Sequence, residues 1–201
     1  MVTNPMTVMQ RENVRLQEEN QKLQQEVRSH REFIAVLTDL TGASSRMHTD
    51  AELMPLLRDI FSKALRLLNA PDGSLSLLDA ENNELQFVLV AGALAEELVG
   101  YRLPANEGIA GWVVQHGEAT LVHDARRDPR FSGSIDQRFR FQTQSIAAAP
   151  LIGDGRVLGV IEALNRPGGQ PFSELDLALL RLMCHYAGEA LANIERSESN
   201  Q

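Results

Sequence analysis

The stretch that decides the fold is Ser145-Ile146-Ala147-Ala148-Ala149-Pro150-Leu151-Ile152-Gly153-Asp154-Gly155-Arg156-Val157-Leu158-Gly159-Val160-Ile161-Glu162-Ala163-Leu164. Two apolar runs, Ser145–Ile152 and Arg156–Leu164, flank Gly153-Asp154-Gly155, residue types that suit a tight turn. This reads as a β-hairpin, and a hairpin makes its strands antiparallel. Upstream, Ser74–Leu78 and Leu85–Val90 repeat the pattern around the polar tip Glu81-Asn82-Asn83. Helical stripes close both ends. The first runs over residues 50–69 through Leu53, Leu56, Leu57, Ile60, Ala64, Leu67 and Leu68, and Pro71 and Gly73 stop it. The last starts at Ser173, where Ser173 and Asp176 fit a capping box. It carries Leu175, Leu179, Leu182, Met183, Tyr186, Ala190, Leu191 and Ile194. Hairpin-joined strands between terminal helices imply an α+β domain with an antiparallel sheet of five to six strands and helices on one face. Between the hairpins, Gly108–Val114 reads as a short helix, Thr120–His123 as extended chain and Asp124–Phe131 as a charged loop.

Composition narrows the function classes. The chain has 201 residues, 43% of them hydrophobic, and a formal charge of −8. A core of roughly 150 residues buries about 70% of its unfolded surface, so no metal or disulfide staple is required. The acidic balance argues against nucleic acid, and no apolar run reaches the ~20 residues of a membrane span. Residues 1–20 lack the apolar core of a signal peptide, and the expected location is cytoplasmic. A single cysteine excludes an internal disulfide framework and a Cys-rich zinc site.

The charge deficit lies wholly in residues 49–201, because residues 1–48 carry six basic and six acidic side chains. The two parts divide near residue 45, giving a dimerisation helix over 1–45 and a globular domain over 46–201. From Met6 to Thr41 a heptad register holds. Position a is Met6, Asn13, Asn20, Val27 and Ile34; position d is Met9, Leu16, Leu23, His30 and Leu37. Asn13 and Asn20 at a favour a parallel, in-register dimer. Glu12, Glu19 and Glu26 at g face Gln17, Gln24 and Arg31 at e′, of which only Glu26–Arg31 is charge-complementary.

The globular part resembles a GAF domain, the small-molecule sensor of signalling proteins. The resemblance rests on Asn106-Glu107-Gly108-Ile109-Ala110-Gly111-Trp112-Val113, on Asp124 and Asp128-Pro129-Arg130-Phe131, and on Asp136, Phe141, Thr143 and Ser145-Ile146. It continues through Gly159-Val160-Ile161 and Asn165-Arg166, and covers Thr49–Arg196. It implies a GAF/PAS-like sheet with helices behind it and a ligand pocket in front, under the inter-strand loops. By position in that fold, the expected lining is Ser76, Phe87, Trp112, Phe131, Phe139, Thr143, Ser145 and Glu162. Phosphodiesterase GAF domains carry Asn-Lys, Phe and Asp-Glu; here Asn165, Arg166, Phe172 and Asp176 match in part, with Arg for Lys and Leu177 for Glu. An Arg166–Asp176 salt bridge pinning the last strand to the last helix is the favoured role. Cyclic-nucleotide binders resemble Asp-x-x-Thr-Gly-Phe-x-Thr before the fifth strand. Phe139 and Arg140 replace the first Thr and the Gly, so this ligand is unsupported.

Catalysis finds little footing. The family's methionine sulfoxide reductase needs nearby cysteines, and its bilin-binding members carry Cys-His before the fifth strand. Cys184-His185 sits about forty residues later, and Cys184 reads as a packing residue. His116, His123 and Asp124 lack the spacing of a metal or haem site. Five arginines, Arg126, Arg127, Arg130, Arg138 and Arg140, crowd one loop. Pairing with Asp124, Asp128 and Asp136 is favoured for Arg126 and Arg127, while Arg138 and Arg140 are candidates for an anionic ligand. The expectation is a non-catalytic sensor without cofactor. It binds a small ligand and signals to a downstream partner as a homodimer through its coiled coil and terminal helices. The alternative is a dimerisation module whose pocket is filled by Phe139 and Phe141, marked by a cavity below ~300 Å³.

Overall fold

The computed structural model describes residues 50–199, and before them Met6, Met9, residues 12–17 and 19–21, and Gln24. The chain divides into two units, Met1–Asp39 and Leu40–Gln201. In the first, the described residues are helical and exposed. Arg15 pairs with Glu12 at 2.8 Å, and the Gln24 side-chain amide donates to Asn20 Oδ1 at 2.9 Å. The seam positions Leu23, Val27, His30, Ile34 and Leu37, and the Glu26–Arg31 pair, lie outside the described residues.

In the second unit a six-stranded antiparallel sheet has the order β3-β2-β1-β6-β5-β4. The strands are β1 (Asp72–Asp79), β2 (Glu84–Ala91), β3 (Arg102–Pro104), β4 (Thr120–Val122), β5 (Ile146–Gly153) and β6 (Arg156–Leu164). Both expected hairpins are present, with Asp154 at φ 50° and Gly155 at φ 71° turning β5 into β6. Pro150 is tolerated in β5 because β4 pairs only with Ile146–Ala148, leaving the Pro150 side of the strand uncovered. A bulge in β2, where Leu75 pairs with Leu89 but Ser76 with Phe87, changes the strand's facing at Val88. Phe87 then turns to the front of the sheet and Leu89 to the back.

Helices α1 (Asp50–Leu67) and α5 (Glu174–Ser199) pack together on the back of the sheet. They bury Leu57, Ile60, Leu68, Leu180, Met183 and Ala187. The expected stripe of α5 is shifted at its start. Leu175 is 60% exposed, while Leu177 and Leu180 are buried. Leu179, Leu182 and Tyr186 are half-buried, so the helix carries a second, partly exposed apolar line beside its core face. Where α5 crosses β5 there is no room for a side chain. A Cβ on Gly188 would lie 2.2 Å from the Ile152 carbonyl oxygen, and one on Gly153 would lie 2.3 Å from that of Gly188.

On the front lie α2 (Ala95–Leu98), α3 (Gly108–His116) and α4 (Ser134–Phe139), three short helices in the loops. Sequence periodicity identifies only α3, since α2 and α4 span four and six residues and are too short to show a stripe. Gly117 ends α3 in the left-handed region at φ 66°, its N–H bonded to the Val113 carbonyl.

Candidate functional site

Alternation along the two central strands places Ser74 on β1 and Glu162 on β6 directly opposite each other, on the front face. Asp72, one step along on that face, pairs with Leu164 and is the diagonal neighbour of Glu162. Over this polar patch the front loops form a cavity of about 100 Å³. Its walls are mostly apolar: Phe87 and Val90 from β2, Leu94 and Leu98 around α2, Ile109 and Ala110 from α3, and Phe131, Ile135 and Phe141 from the segment crossing its mouth.

Glu162 is the group that stands out. It is half-buried on the central strand β6 and lines the cavity. Ser74 Oγ donates to its Oε2 at 3.3 Å, the one hydrogen bond it receives among the described residues. Burial pushes its pKa up to about 7, against the smaller opposing effect of the Ser74 hydroxyl. The other carboxyls on the wall are engaged. Asp72 Oδ1 accepts the Ala93 N–H at 3.0 Å, bracing a turn in which Gly92 sits at φ 92°. Asp136 accepts from the Thr143 N–H at 2.9 Å and from its hydroxyl at 2.7 Å. Glu107, at the head of α3, accepts from Ser132 Oγ, and the Ser132 and Ser134 hydroxyls hold its pKa below the ordinary value. That bond ties the segment over the mouth to α3.

Of the expected lining residues, Phe87, Phe131, Thr143 and Glu162 lie on the cavity wall. The other four, Ser76, Trp112, Phe139 and Ser145, lie outside this cavity's lining. Ser76 is buried between Phe87 and Val160 in the sheet ladder. Trp112 packs from the outer side of α3, stacked on His116 at 4.4 Å with the Arg130 guanidinium 4.6 Å from its ring centre. Phe139 meets Tyr101 edge-on at 5.6 Å. Ser145 is buried where the chain enters β5. Its carbonyl accepts the Asn165 N–H, beside an outer groove also lined by His123 and Arg126.

The arginines do not reach the cavity either. Arg138 lies over the Tyr101 ring at 5.3 Å. Arg140 ends α4 in the left-handed region at φ 54°, ψ 38°, exposed to solvent. Glycine is the residue that adopts this backbone most readily. Arg127 pairs with Asp124 at 3.3 Å, and Arg130 is forked onto Asp128 with contacts of 2.6 and 2.9 Å. Among the described residues lining the cavity there are four carboxyls and no Lys, Arg or His. Of the engaged acids, Glu107 enters the sequence reading only as part of the resemblance at Asn106–Val113 and without a site role, and Asp72, which opens β1 before a glycine, carries no motif.

The second motif has the structural role expected of it. Arg166 Nη1 meets Asp176 Oδ2 at 2.7 Å, and the same oxygen accepts from the Ser173 N–H and hydroxyl. Asn165, at φ 57°, donates from its amide to the Gln142 carbonyl and accepts the Gln144 N–H. Phe172 is buried at 2%. Together they clamp the ends of β6 and the lead into β5 to the start of α5. Cys184 is fully buried, its Sγ donating to the Ala149 carbonyl at 3.4 Å, and burial pushes the thiol pKa well up. Among the described residues no group of three or more His, Cys, Asp or Glu is placed to hold a metal, and no helix is long and apolar enough to cross a membrane.

The domain is an α+β fold with a cavity on one face of the six-stranded sheet and both long helices on the other. The GAF domain family profile matches residues 52–191, and the chain belongs to that family of ligand-sensing signalling modules. Its fold is shared with the GAF domain of a phosphoenolpyruvate-protein phosphotransferase from Coxiella burnetii, at TM-score 0.71 and 19% identity over 84% of this chain and 97% of that one. A free methionine-R-sulfoxide reductase from Neisseria meningitidis, solved with its substrate, is also similar, at TM-score 0.64 and 20% identity over 82% and 91% of the two chains. Among curated relatives, the dual 3′,5′-cyclic-AMP and -GMP phosphodiesterase 11A of Takifugu rubripes is 34% identical over 47% of this chain and 11% of its own length. A probable 3′,5′-cyclic phosphodiesterase of Caenorhabditis elegans is 26% identical over 86% of this chain. The chain spans 25% of that relative's length.

Proposed function

We propose that the front cavity is the sensory site of a non-catalytic module, and that α1 and α5 carry the signal to a partner through a homodimer. The observation that carries this is Glu162, a carboxyl left with one long hydrogen bond on the wall of a cavity in the middle of the sheet. A group buried merely for packing would have its polar atoms satisfied or replaced by carbon. The segment 131–143 crosses the mouth and is held by the Ser132–Glu107 and Asn165–Gln142 hydrogen bonds and, internally, by Thr143 on Asp136, so a ligand entering from the front has to shift it or order it. Asn165 and Arg166 connect that segment to the start of α5. Differential affinity for two arrangements of the segment then changes the helix layer behind the sheet.

A homodimer is supported by the heptad register of the first unit and by the partly exposed line of Leu175, Leu179, Leu182 and Tyr186 on α5. The fully buried, lone Cys184 supports a non-catalytic reading. Cyclic nucleotides are raised by the names of the phosphodiesterase relatives. A cavity wall with four carboxyls and no basic side chain opposes a phosphate.

One observation favours the alternative. At about 100 Å³ the cavity is below the ~300 Å³ of ordinary ligand pockets, and Phe141 stands in its wall. Hydrogen exchange decides between the two readings. A thermal-shift screen of small cations, neutrals and anions should yield a stabiliser that slows exchange in residues 131–143. A screen without any stabiliser would leave the plugged interaction module as the better account.

A further inference from the structure

The chemistry of the cavity wall goes further than the existence of a site, and the step taken here rests on the sensory reading above. We propose that the cavity takes a small ligand with an apolar body and a protonated amine or amidine head, the head paired with the Glu162 carboxylate that Ser74 holds in place.

Three observations converge on that class. The first is the anchor itself. Ser74 Oγ reaches Glu162 Oε2, and no hydrogen bond from a described residue reaches Oε1, which leaves that oxygen to face the cavity. A hydroxyl donating to a carboxyl favours its charged form, so the arrangement is set to accept a donor from the ligand. The second is the surrounding field. The other titratable groups facing the same space are Asp72, Glu107 and Asp136, all acidic. The nearest arginines of the loop are turned away: Arg130 onto Asp128, Arg138 onto Tyr101. A carboxylate or phosphate ligand would enter a space of its own sign without a counter-ion, whereas an ammonium would neutralise the wall. The third is the rest of the lining. Phe87, Phe131, Phe141, Leu94 and Ile109 provide an apolar hull for a body of about six non-hydrogen atoms, the scale that the about 100 Å³ space sets. Arg138 and Arg140, the two candidates for an anionic ligand, line no part of this cavity.

The test uses the full 201-residue chain and three probes that share one ring and differ in the charge of the head: phenethylammonium, 2-phenylethanol and phenylacetate. Affinity is read by calorimetry and by thermal shift at about pH 8, where an alkylamine is charged and Glu162 is ionised. The expected order is cation first, by roughly tenfold over the neutral probe, with the anion last. Glu162→Gln, which keeps size and hydrogen-bonding capacity, should remove the advantage of the cation and leave the neutral probe unaffected. Ser74→Ala should weaken the cation alone, by a few fold, and circular dichroism checks that both variants fold. In the wild type the affinity for the cation should rise between about pH 6 and pH 8 as Glu162 loses its proton, and this rise should be absent in Glu162→Gln.

Equal or better binding of phenylacetate or 2-phenylethanol, or a cation preference that survives Glu162→Gln, overturns the ligand class while the cavity remains a binding site. Binding of none of the three probes overturns this ligand class; the sensory reading falls only if the wider thermal-shift screen also yields no stabiliser.

Discussion

At the scale of single residues, Glu162 makes the stability of the fold sensitive to pH. Folding raises its pKa from an ordinary 4.5 to about 7, so the folded chain holds this proton more tightly than the unfolded one. Its contribution to stability is fully present below about pH 4.5 and is lost as the pH climbs through 7, by at most about 3 kcal/mol. Urea titrations of Glu162→Gln and wild type should therefore nearly coincide at low pH and separate at pH 8 in favour of the variant; a constant gap across that window would contradict the assignment. Arg140 makes a smaller point. It occupies a left-handed conformation that costs an L-residue roughly 1 kcal/mol, and Arg140→Gly should stabilise the fold by about 0.5–1 kcal/mol in the same assay. Cys184, enclosed between α5 and β5, should resist thiol reagents in the native protein and react at once in denaturant. Rapid labelling without denaturant would place it wrongly.

At the scale of elements, two junctions hold the helix layer to the sheet. One is the Arg166–Asp176–Ser173 cluster, in which Asp176 is 7% exposed and satisfies three donors. Asp176→Ala strands the Arg166 charge and two capping donors, and should cost about 2–4 kcal/mol in a denaturation series, with Asp176→Asn costing less. The other is the crossing of α5 over β5. A methyl on Gly188 has nowhere to go but into the Ile152 carbonyl, so Gly188→Ala should cost at least about 2 kcal/mol. A neutral result there would mean that helix and strand can part without penalty.

These elements also show what sequence can and cannot convey. The hairpin 145–164 and the capping box at Ser173 are local, written in turn chemistry and apolar runs, and so was the Arg166–Asp176 contact, ten residues apart. The cavity is not local. Ser74 and Glu162 are 88 positions apart and meet only because β1 and β6 are paired, a fact carried by sheet order and not by either segment. Arg138, Phe139 and Arg140 sit on or directly after a six-residue helix, too short to leave a periodic signature, so the directions of their side chains are not written in the sequence.

At the scale of the whole molecule, light scattering at tens of micromolar should give the mass of a dimer, and a monomer would remove the proposed route of signalling through paired helices. Within one chain, α5 touches the sheet backbone-to-backbone at Gly188, near the middle of its 26 residues. Side-chain layers elsewhere yield a little under load, but two main chains in contact do not. That point is a fulcrum. The arm from Gly188 to Asp176 is about 18 Å long, and the arm to Ser199 is about 16 Å. If α5 tilts as a rigid rod about Gly188, a displacement of the Asp176 end would appear at the far end with opposite sense and nearly equal size.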